Sequence, residues 1–195
     1  HLYRRRQRQM CIRDSYSLHN HAIASSLRRQ DIQIQLCGDG ANANLCGAAM
    51  APQRGNLDQQ VTMEHLSANT TSQQTFHNIV ADRGKSTFNG RIHIHAGARN
   101  SNANLSNKNI GLGANATINT KPELEIYNDD VSCSHGATIG QLDNDQLFYL
   151  CSRGVDPNAA RQLLCEGFLQ QCVGGPLADR ATAGLLEPLQ GLSIQ

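Results

Sequence analysis

The sequence predicts an all-β core with an α appendage, namely a parallel β-helix (β-solenoid) followed by a small C-terminal helical domain. Short segments of alternating apolar and polar residues recur throughout 31–140, and most of them run into Gly, Asn or Asp. No helical period is visible in that range, and comparable strands return every 20–30 residues or so, as in solenoid repeats. Amphipathic helical patterns begin only after Gly140.

Composition limits the class of protein. The chain has 195 residues, of which 39% are hydrophobic, 17% charged and 4% aromatic, and Trp is absent. Its core must therefore consist of Ile, Leu, Val and Ala, which suits a narrow, stacked interior. No apolar run approaches the roughly 20 residues that span a bilayer. We therefore expect no membrane partner and no secretory signal.

The first fifteen residues differ from the rest. Five arginines and one acid give residues 1–15 a charge of +4, whereas the other 180 residues carry −3. A basic tail can bind nucleic acid or a membrane surface. Because the segment has no periodicity and reads like a translated cloning end, we interpret 1–15 as a disordered, non-native arm. We expect no nucleic-acid partner.

The predicted β-helix core occupies 16–140. Asp31–Leu36 alternates cleanly, with the two isoleucines and the leucine inward and the two glutamines outward. Further strand candidates are Gln60–His65, Phe76–Val80, Arg91–His95, Ile110–Leu112, Thr117–Ile118, Leu124–Tyr127 and Asp130–Cys133. Asn is frequent between them and tolerates the left-handed backbone of solenoid corners. A β-sandwich also has many short strands, but we prefer the solenoid.

The helical domain is assigned to 141–195. Asp143 can cap a first helix that ends at Gly154, and Asp156-Pro157 is a second N-cap with Pro in the first turn. Gly174-Gly175-Pro176 ends the second helix, and a weaker third helix follows.

Cysteine and histidine usage indicates the compartment and the weaker site candidates. The seven cysteines include no CxxC pair, so we expect reduced thiols in a cytoplasmic protein, with Cys165 and Cys172 as packing residues. The pair His19 and His21 is interpreted as solvated. His93 and His95 should project outward; such a pair can hold a metal but more often forms a polar face.

The densest chemistry lies in 120–140. Cys133 and His135 are two residues apart and can share one face of a strand, where thiolate and imidazole suit iron or a sulfur intermediate. Glu125 and Asp129 are supplementary candidates. The alternative is that Cys133 packs in the end of the solenoid and His135 bonds a backbone carbonyl, and the residues alone favour that alternative.

The segment from Phe88 to Val173 resembles the SufB/SufD family of iron–sulfur cluster assembly proteins, and its SufD branch more closely. The resemblance rests on FNGRIHIHAGARNSNANLSNKNIGLG, on KPELEIYNDDVSCSHGAT, and on LDNDQLFYLCSRG with ARQLLCEGF. It implies a right-handed parallel β-helix, here truncated at its N-terminal side, and a scaffold role. It also makes His135 the better metal candidate and leaves Cys133 open.

The resemblance further implies the partners. A SufB-like subunit would pair with this chain, a SufC-like ABC ATPase would dock on its helices, and a cysteine desulfurase would act indirectly. Candidate docking residues are Phe148, Tyr149, Arg153, Leu163 and Phe168. An iron–sulfur cluster would be transient and shared with the partner, since two soft ligands cannot close a site that needs about four.

We therefore predict a non-enzymatic scaffold subunit of SUF iron–sulfur cluster assembly that assists iron entry and nascent cluster formation. The sequence has no GxxxxGK[ST], GxSxG or HExxH motif. One alternative is a purely structural partner without a ligand role. Another is a β-helix enzyme acting on polysaccharide, which would need carboxylates along several coils.

Overall fold

A computed structural model describes residues 3–4, 8–10, 13–174 and 178–187. It confirms the predicted fold, because the strands stack into a parallel β-solenoid of about four turns and three helices follow. The strands are β1 (Tyr3–Arg4), β2 (Arg8–Met10), β3 (Ser15–Ile23), β4 (Leu27–Leu36), β5 (Asn42–Ala51), β6 (Asn56–His65), β7 (Thr71–Ala81), β8 (Lys85–Ile94), β9 (Ser101–Leu112), β10 (Thr117–Ile126) and β11 (Val131–Gly140). The helices are α1 (Asn144–Ser152), α2 (Pro157–Gln170) and α3 (Ala178–Leu186).

From β3 onward, successive strands alternate between two parallel sheets. Sheet A has the order β1-β4-β6-β8-β10, with β2 also paired to β4, and sheet B has the order β11-β9-β7-β5-β3. Asn56 pairs with Leu27 on one side and with Lys85 on the other, so one coil takes 29 residues there. Each strand thus lies directly above its equivalent one coil earlier, and equivalent side chains form rows across the coils.

The strands are longer than the sequence indicated, since β3 to β11 each contain 9 to 12 residues. In β8, the buried Gly90 interrupts the alternating row of apolar residues, yet the backbone pairing continues through it. A β-carbon on Gly90 would lie 2.6 Å from the Leu105 Cδ2 atom. The glycine therefore makes room for a side chain of the facing sheet and does not end the strand.

One corner of the solenoid is held by a ladder of side-chain amides. Asn100 donates from Nδ2 to the Asn69 Oδ1 atom at 2.7 Å, and Asn69 donates from Nδ2 to the Asp39 Oδ1 atom at 2.8 Å. Both asparagines have a positive φ, 59° at Asn69 and 53° at Asn100. Asn tolerates this backbone and bonds to the neighbouring coil, which confirms its predicted place at the corners.

The interior contains two apolar regions. The larger is built mainly from the inward Ile, Leu, Val, Met and Phe residues of β3 to β9, and Phe76 and Phe88 contact each other there with ring centroids 5.0 Å apart. The smaller is narrower and consists of four alanines with Leu57 and Val80. A largely aliphatic, alanine-rich core explains how the chain folds with so few aromatic residues.

The helices cover the outer face of sheet B. Ala48, Met50, Ile79 and Ala81 project outward from that sheet and are completely or almost completely buried against the helical domain. The helical side of the same cluster comprises Cys165, Leu169, Cys172, Leu185 and Leu186. The caps are as predicted: Asp143 accepts from the backbone of Asp145 and Gln146, and Asp156 from Asn158 and Ala159. No helix in the described ranges is both long and apolar enough to cross a bilayer.

Part of the predicted arm over 1–15 lies within the described residues, and its assignment as a disordered, non-native arm stays a prediction. Tyr3–Arg4 and Arg8–Met10 are short parallel strands on β4, and β3 already begins at Ser15. The edge of β4 offers unpaired N–H and C=O groups, which a preceding segment can satisfy even without apolar periodicity. The other residues of the arm before Arg13 lie outside the described range.

Candidate functional site

The last coil of the solenoid, formed by β10 and β11, is the candidate site. Among the described strands, β10 pairs only with β8 and β11 only with β9. Apolar side chains are consequently uncovered there: Ile139 is 57% exposed and Ile126 44%. A β-carbon added at Gly136 or Gly140 would meet no atom within 4 Å. Among the described residues, nothing closes this end of the core.

Cys133 and His135 lie on the inward face of β11. Cys133 is in register with Ala103 and His135 with Leu105, and both of these β9 residues belong to the buried core. Because side chains two apart on a strand share a face, the thiol and the imidazole both face the open end of the interior. Cys133 is half-buried against that core, whereas His135 is exposed.

The surroundings of Cys133 disfavour its thiolate form. Burial raises its pKa, while a hydrogen bond involving the backbone of Ala103 lowers it and only partly compensates. A thiol must lose its proton to become a ligand or a nucleophile. Cys133 therefore needs a metal ion or a nearby positive group before it can act.

The two supplementary acids lie elsewhere. Glu125 is in register with His93 on the outer face of sheet A, and its Oε2 atom accepts from the Arg91 Nη2 atom at 2.5 Å. The sheet lies between Glu125 and His135, so the two do not share a face. Asp129 is exposed in the turn between β10 and β11. As ligands beside His135, both acids stay predictions.

The helical domain presents an uncovered apolar surface. Phe148 and Tyr149 of α1 are 75% and 54% exposed, and Leu163 of α2 is 51% exposed. Arg153 lies over the Tyr149 ring, with its Cζ atom 4.7 Å from the ring centroid, which fixes both side chains at the surface. Exposed aromatic residues beside an arginine are typical of protein interfaces.

Phe168 differs from the other predicted docking residues because it faces the solenoid. Its ring stacks on His77 with centroids 4.5 Å apart, and the His77 Nδ1 atom donates to the Phe168 carbonyl at 2.7 Å. Cys172 contacts the same region through its Sγ atom, 3.7 Å from the Thr75 carbonyl. Phe168 thus attaches the helices to sheet B.

The sequence interpretation missed most of the apolar rim of this site. Residues 131, 133, 135, 137 and 139 form one continuous alternate row, VxCxHxAxI, on the inward face of β11. Extending the period of two through Gly136 would have found Ile139, because a glycine does not end a strand that is paired along its whole length.

Comparison with known families identifies the class of protein. The family model for the SUF system FeS cluster assembly SufBD core domain matches residues 3–168. The match extends well upstream of the segment Phe88–Val173 that carries the sequence resemblance. The chain belongs to the SufBD family.

Individual relatives refine this placement. The chain is 35% identical over 150 residues to the iron–sulfur cluster assembly protein SufD of Escherichia coli, which covers 77% of this chain and 36% of that protein. It is 33% identical over 153 residues to a SufBD family protein of Synechocystis, covering 78% and 34% of the two chains. It is 31% identical over 148 residues to SufB of Bacillus subtilis, covering 76% and 32%. The chain spans about a third of the length of these relatives.

Proposed function

We propose that this chain is a scaffold subunit of a cytoplasmic SUF iron–sulfur cluster assembly complex. In this proposal it pairs with a SufB-like subunit through the last coil of the solenoid and takes part in iron entry and nascent cluster formation. The observation that carries the proposal is the open end of the core, where Cys133 and His135 lie on the inward face of the uncovered last coil, beside exposed apolar side chains.

The open coil supports a protein partner of similar architecture. The free edges of β10 and β11 offer main-chain donors and acceptors, which a strand of another chain can pair with. The exposed Ile126 and Ile139 would be buried by the same contact. A second solenoid end would satisfy both requirements at once.

The chemistry also requires a partner. A cluster normally has four protein ligands, whereas this face offers one thiol and one imidazole. A SufB-like subunit would supply the remaining ligands, and its approach would provide the charge that Cys133 needs to lose its proton. The cluster would then be transient and shared, with sulfur supplied through a cysteine desulfurase.

The helical surface supports a second contact. We assign the docking of a SufC-like ATPase to the exposed surface formed by Phe148, Tyr149, Arg153 and Leu163. Phe168 would contribute indirectly by holding α2 against sheet B. Any ATP hydrolysis would belong to that partner.

A reconstituted complex with SufB-like, SufC-like and desulfurase subunits tests both surfaces, with cluster absorbance and capture of the ATPase as separate readouts. His135→Ala should reduce cluster formation severalfold or more and leave ATPase capture unchanged. Phe148→Asp should reduce ATPase capture and leave cluster formation unchanged, because a carboxylate replaces an exposed aromatic ring without disturbing the core. Each variant is the control for the other.

Two results would contradict the proposal. Undiminished cluster formation with His135→Ala would remove the ligand role and leave the purely structural partner. Wild-type capture with Phe148→Asp would assign ATPase docking to another surface. A polysaccharide-acting enzyme would need carboxylates along several coils that are free to act. The acids Asp31, Asp58, Glu64 and Glu125 do lie along several coils of sheet A, but each accepts a hydrogen bond from an arginine or glutamine side chain.

A further inference from the structure

A second group of metal-ligating side chains lies on the outer face of sheet A, away from Cys133. Glu64 of β6 and Glu125 of β10 are both in register with His93 of β8, so the three form one row across adjacent coils. His95 follows on the same face of β8. We propose that these four residues, the outer histidine site, bind a divalent first-row transition metal ion, with the two imidazoles and Glu64 as ligands and Glu125 as the second carboxylate.

The separations between the donor atoms are close to those of a metal site. The His93 Nδ1 atom is 3.7 Å from the Glu125 Oε2 atom, and the His95 Nε2 atom is 3.9 Å from the Glu64 Oε2 atom. Donors bound at about 2.1 Å in tetrahedral geometry are about 3.4 Å apart. Each measured gap thus exceeds that separation by about half an ångström or less.

The two imidazole rings are already aligned. Their centroids are 4.0 Å apart and their planes differ by 7°, and the Tyr127 ring lies against His93 at 5.3 Å. As the side chains stand, no group of three or more His, Cys, Asp or Glu residues in the described part of the chain could hold a metal ion. Binding therefore requires small rotations about the side-chain bonds of His93 and His95, which a cation attracted by two carboxylates would induce.

The carboxylates are oriented by neighbouring side chains. Glu64 accepts from the Gln33 Nε2 atom at 3.2 Å on one oxygen and from the Gln35 Nε2 atom at 2.8 Å on the other. Arg91 orients Glu125 in the same way. Such outer contacts fix ligand geometry in metal sites and strengthen binding. Arg91 also competes for Glu125, which is why Glu64 is assigned as the first carboxylate ligand.

Within the described part of the chain, one imidazole nitrogen of the site is left without a partner. The His95 Nε2 atom is shielded from solvent and has no hydrogen-bond partner among the described residues. A neutral ring has the lone pair that a metal needs. Imidazole with carboxylate suits Zn²⁺, Fe²⁺ and related ions.

Co²⁺ titration of the full chain, followed by visible absorption and by calorimetry, tests the site. The wild-type chain should bind one more Co²⁺ ion per chain than the double variant His93→Gln/His95→Gln. The ion that the double variant fails to bind should be the one that produces the visible absorption band. His19→Gln is the control, because it removes an exposed imidazole of sheet B and leaves the outer face of sheet A intact. It should bind Co²⁺ like the wild-type chain.

A folding defect is not expected in the double variant, since glutamine already occupies the outward positions Gln33, Gln35 and Gln60 of sheet A. Glu64→Gln provides a second route and should weaken the same equivalent about tenfold or more. Wild-type binding by both the double variant and Glu64→Gln would overturn the proposal. Loss of the visible band in His135→Gln would instead assign the bound Co²⁺ to the last coil. That result would also overturn the outer histidine site, and it would support the ligand role that the proposed function gives to His135.

Discussion

At the scale of single residues, His65 shows how the solenoid accommodates a polar ring in its interior. The ring is fully buried, with its Nδ1 atom 2.8 Å from the Thr70 Oγ1 atom and its Nε2 atom 2.8 Å from the Ser72 Oγ atom. Thr70 in turn contacts the Ser101 hydroxyl at 2.8 Å. Both ring nitrogens are thus satisfied by hydroxyl groups, so the residue closes a corner without requiring water.

This burial makes stability depend on pH. Desolvation lowers the pKa of His65 from 6.5 to about 4 in the folded state. The unfolded chain therefore binds a proton first as the pH falls, and stability that is present above pH 6.5 is lost towards about pH 4. From this residue we expect a loss of about 2 kcal/mol in the free energy of unfolding between about pH 7 and about pH 5.

Urea unfolding of the wild-type chain and of His65→Gln at both pH values measures that loss. The variant should be less stable near neutral pH and should show the flatter pH dependence, because it has no ring to protonate. Parallel pH dependences for the two chains would show that other groups, such as the half-buried His21, cause the acid sensitivity.

At the scale of the elements, the corners set how closely successive coils approach. Gly84 precedes β8, and a β-carbon there would lie 2.2 Å from the Ala51 carbonyl oxygen at the end of β5. That oxygen belongs to a backbone paired with β7, so it cannot move independently. Gly84→Ala should therefore lower the free energy of unfolding by about 1–3 kcal/mol.

Gly167→Ala is the matched control for this substitution. Gly167 lies within α2, and a β-carbon there would meet no atom within 4 Å. The same chemical change should raise stability by about 0.5–1 kcal/mol, because glycine weakens a helix. Urea unfolding at neutral pH compares the two. If the two substitutions changed the free energy of unfolding equally, the close approach of the Ala51 carbonyl oxygen would not be the reason for glycine at position 84.

At the scale of the whole molecule, the helical domain and the solenoid share an apolar interface, and His77 makes a polar contact across it. Cys165 and Cys172 lie inside that interface, where burial raises the pKa of each thiol to about 12. Their modification by an alkylating reagent therefore requires the helices to leave sheet B.

His77→Ala removes both the hydrogen bond to the Phe168 carbonyl and the stacked ring. We expect alkylation of Cys165 and Cys172 to become about tenfold faster or more, consistent with a loss of about 1.5 kcal/mol or more at the interface. Mass spectrometry of the labelled peptides measures each rate. Cys151 is half-buried in α1 and should label at an unchanged rate. Unaltered labelling of Cys165 and Cys172 would show that the apolar contacts alone hold the helices.

Much of this fold follows from local patterns. The alternation in β4 and β6, the helix caps at Asp143 and Asp156, and the corner asparagines Asn69 and Asn100 each depend on neighbours in sequence, and each prediction was confirmed. The strand lengths were underestimated, because pairing with the adjacent coil extends a strand through glycine and polar residues.

The surroundings of the candidate sites were less predictable. That Cys133 and His135 share a face follows from their spacing. The row of Glu64, His93 and Glu125 could not be predicted from spacing, because it depends on the register between strands about 30 residues apart. Stacking of Phe168 on His77 depends likewise on how the helices dock, which no local period encodes.

The constant register of the strands has a consequence for how such proteins can diverge. Every coil bonds only to the one beneath and the one above it, so gaining or losing an entire coil leaves all the remaining layers in step. A shorter insertion within a strand would instead turn inward side chains outward for the rest of that strand. Length differences among homologues should therefore fall at the corners or come as complete coils of roughly 30 residues.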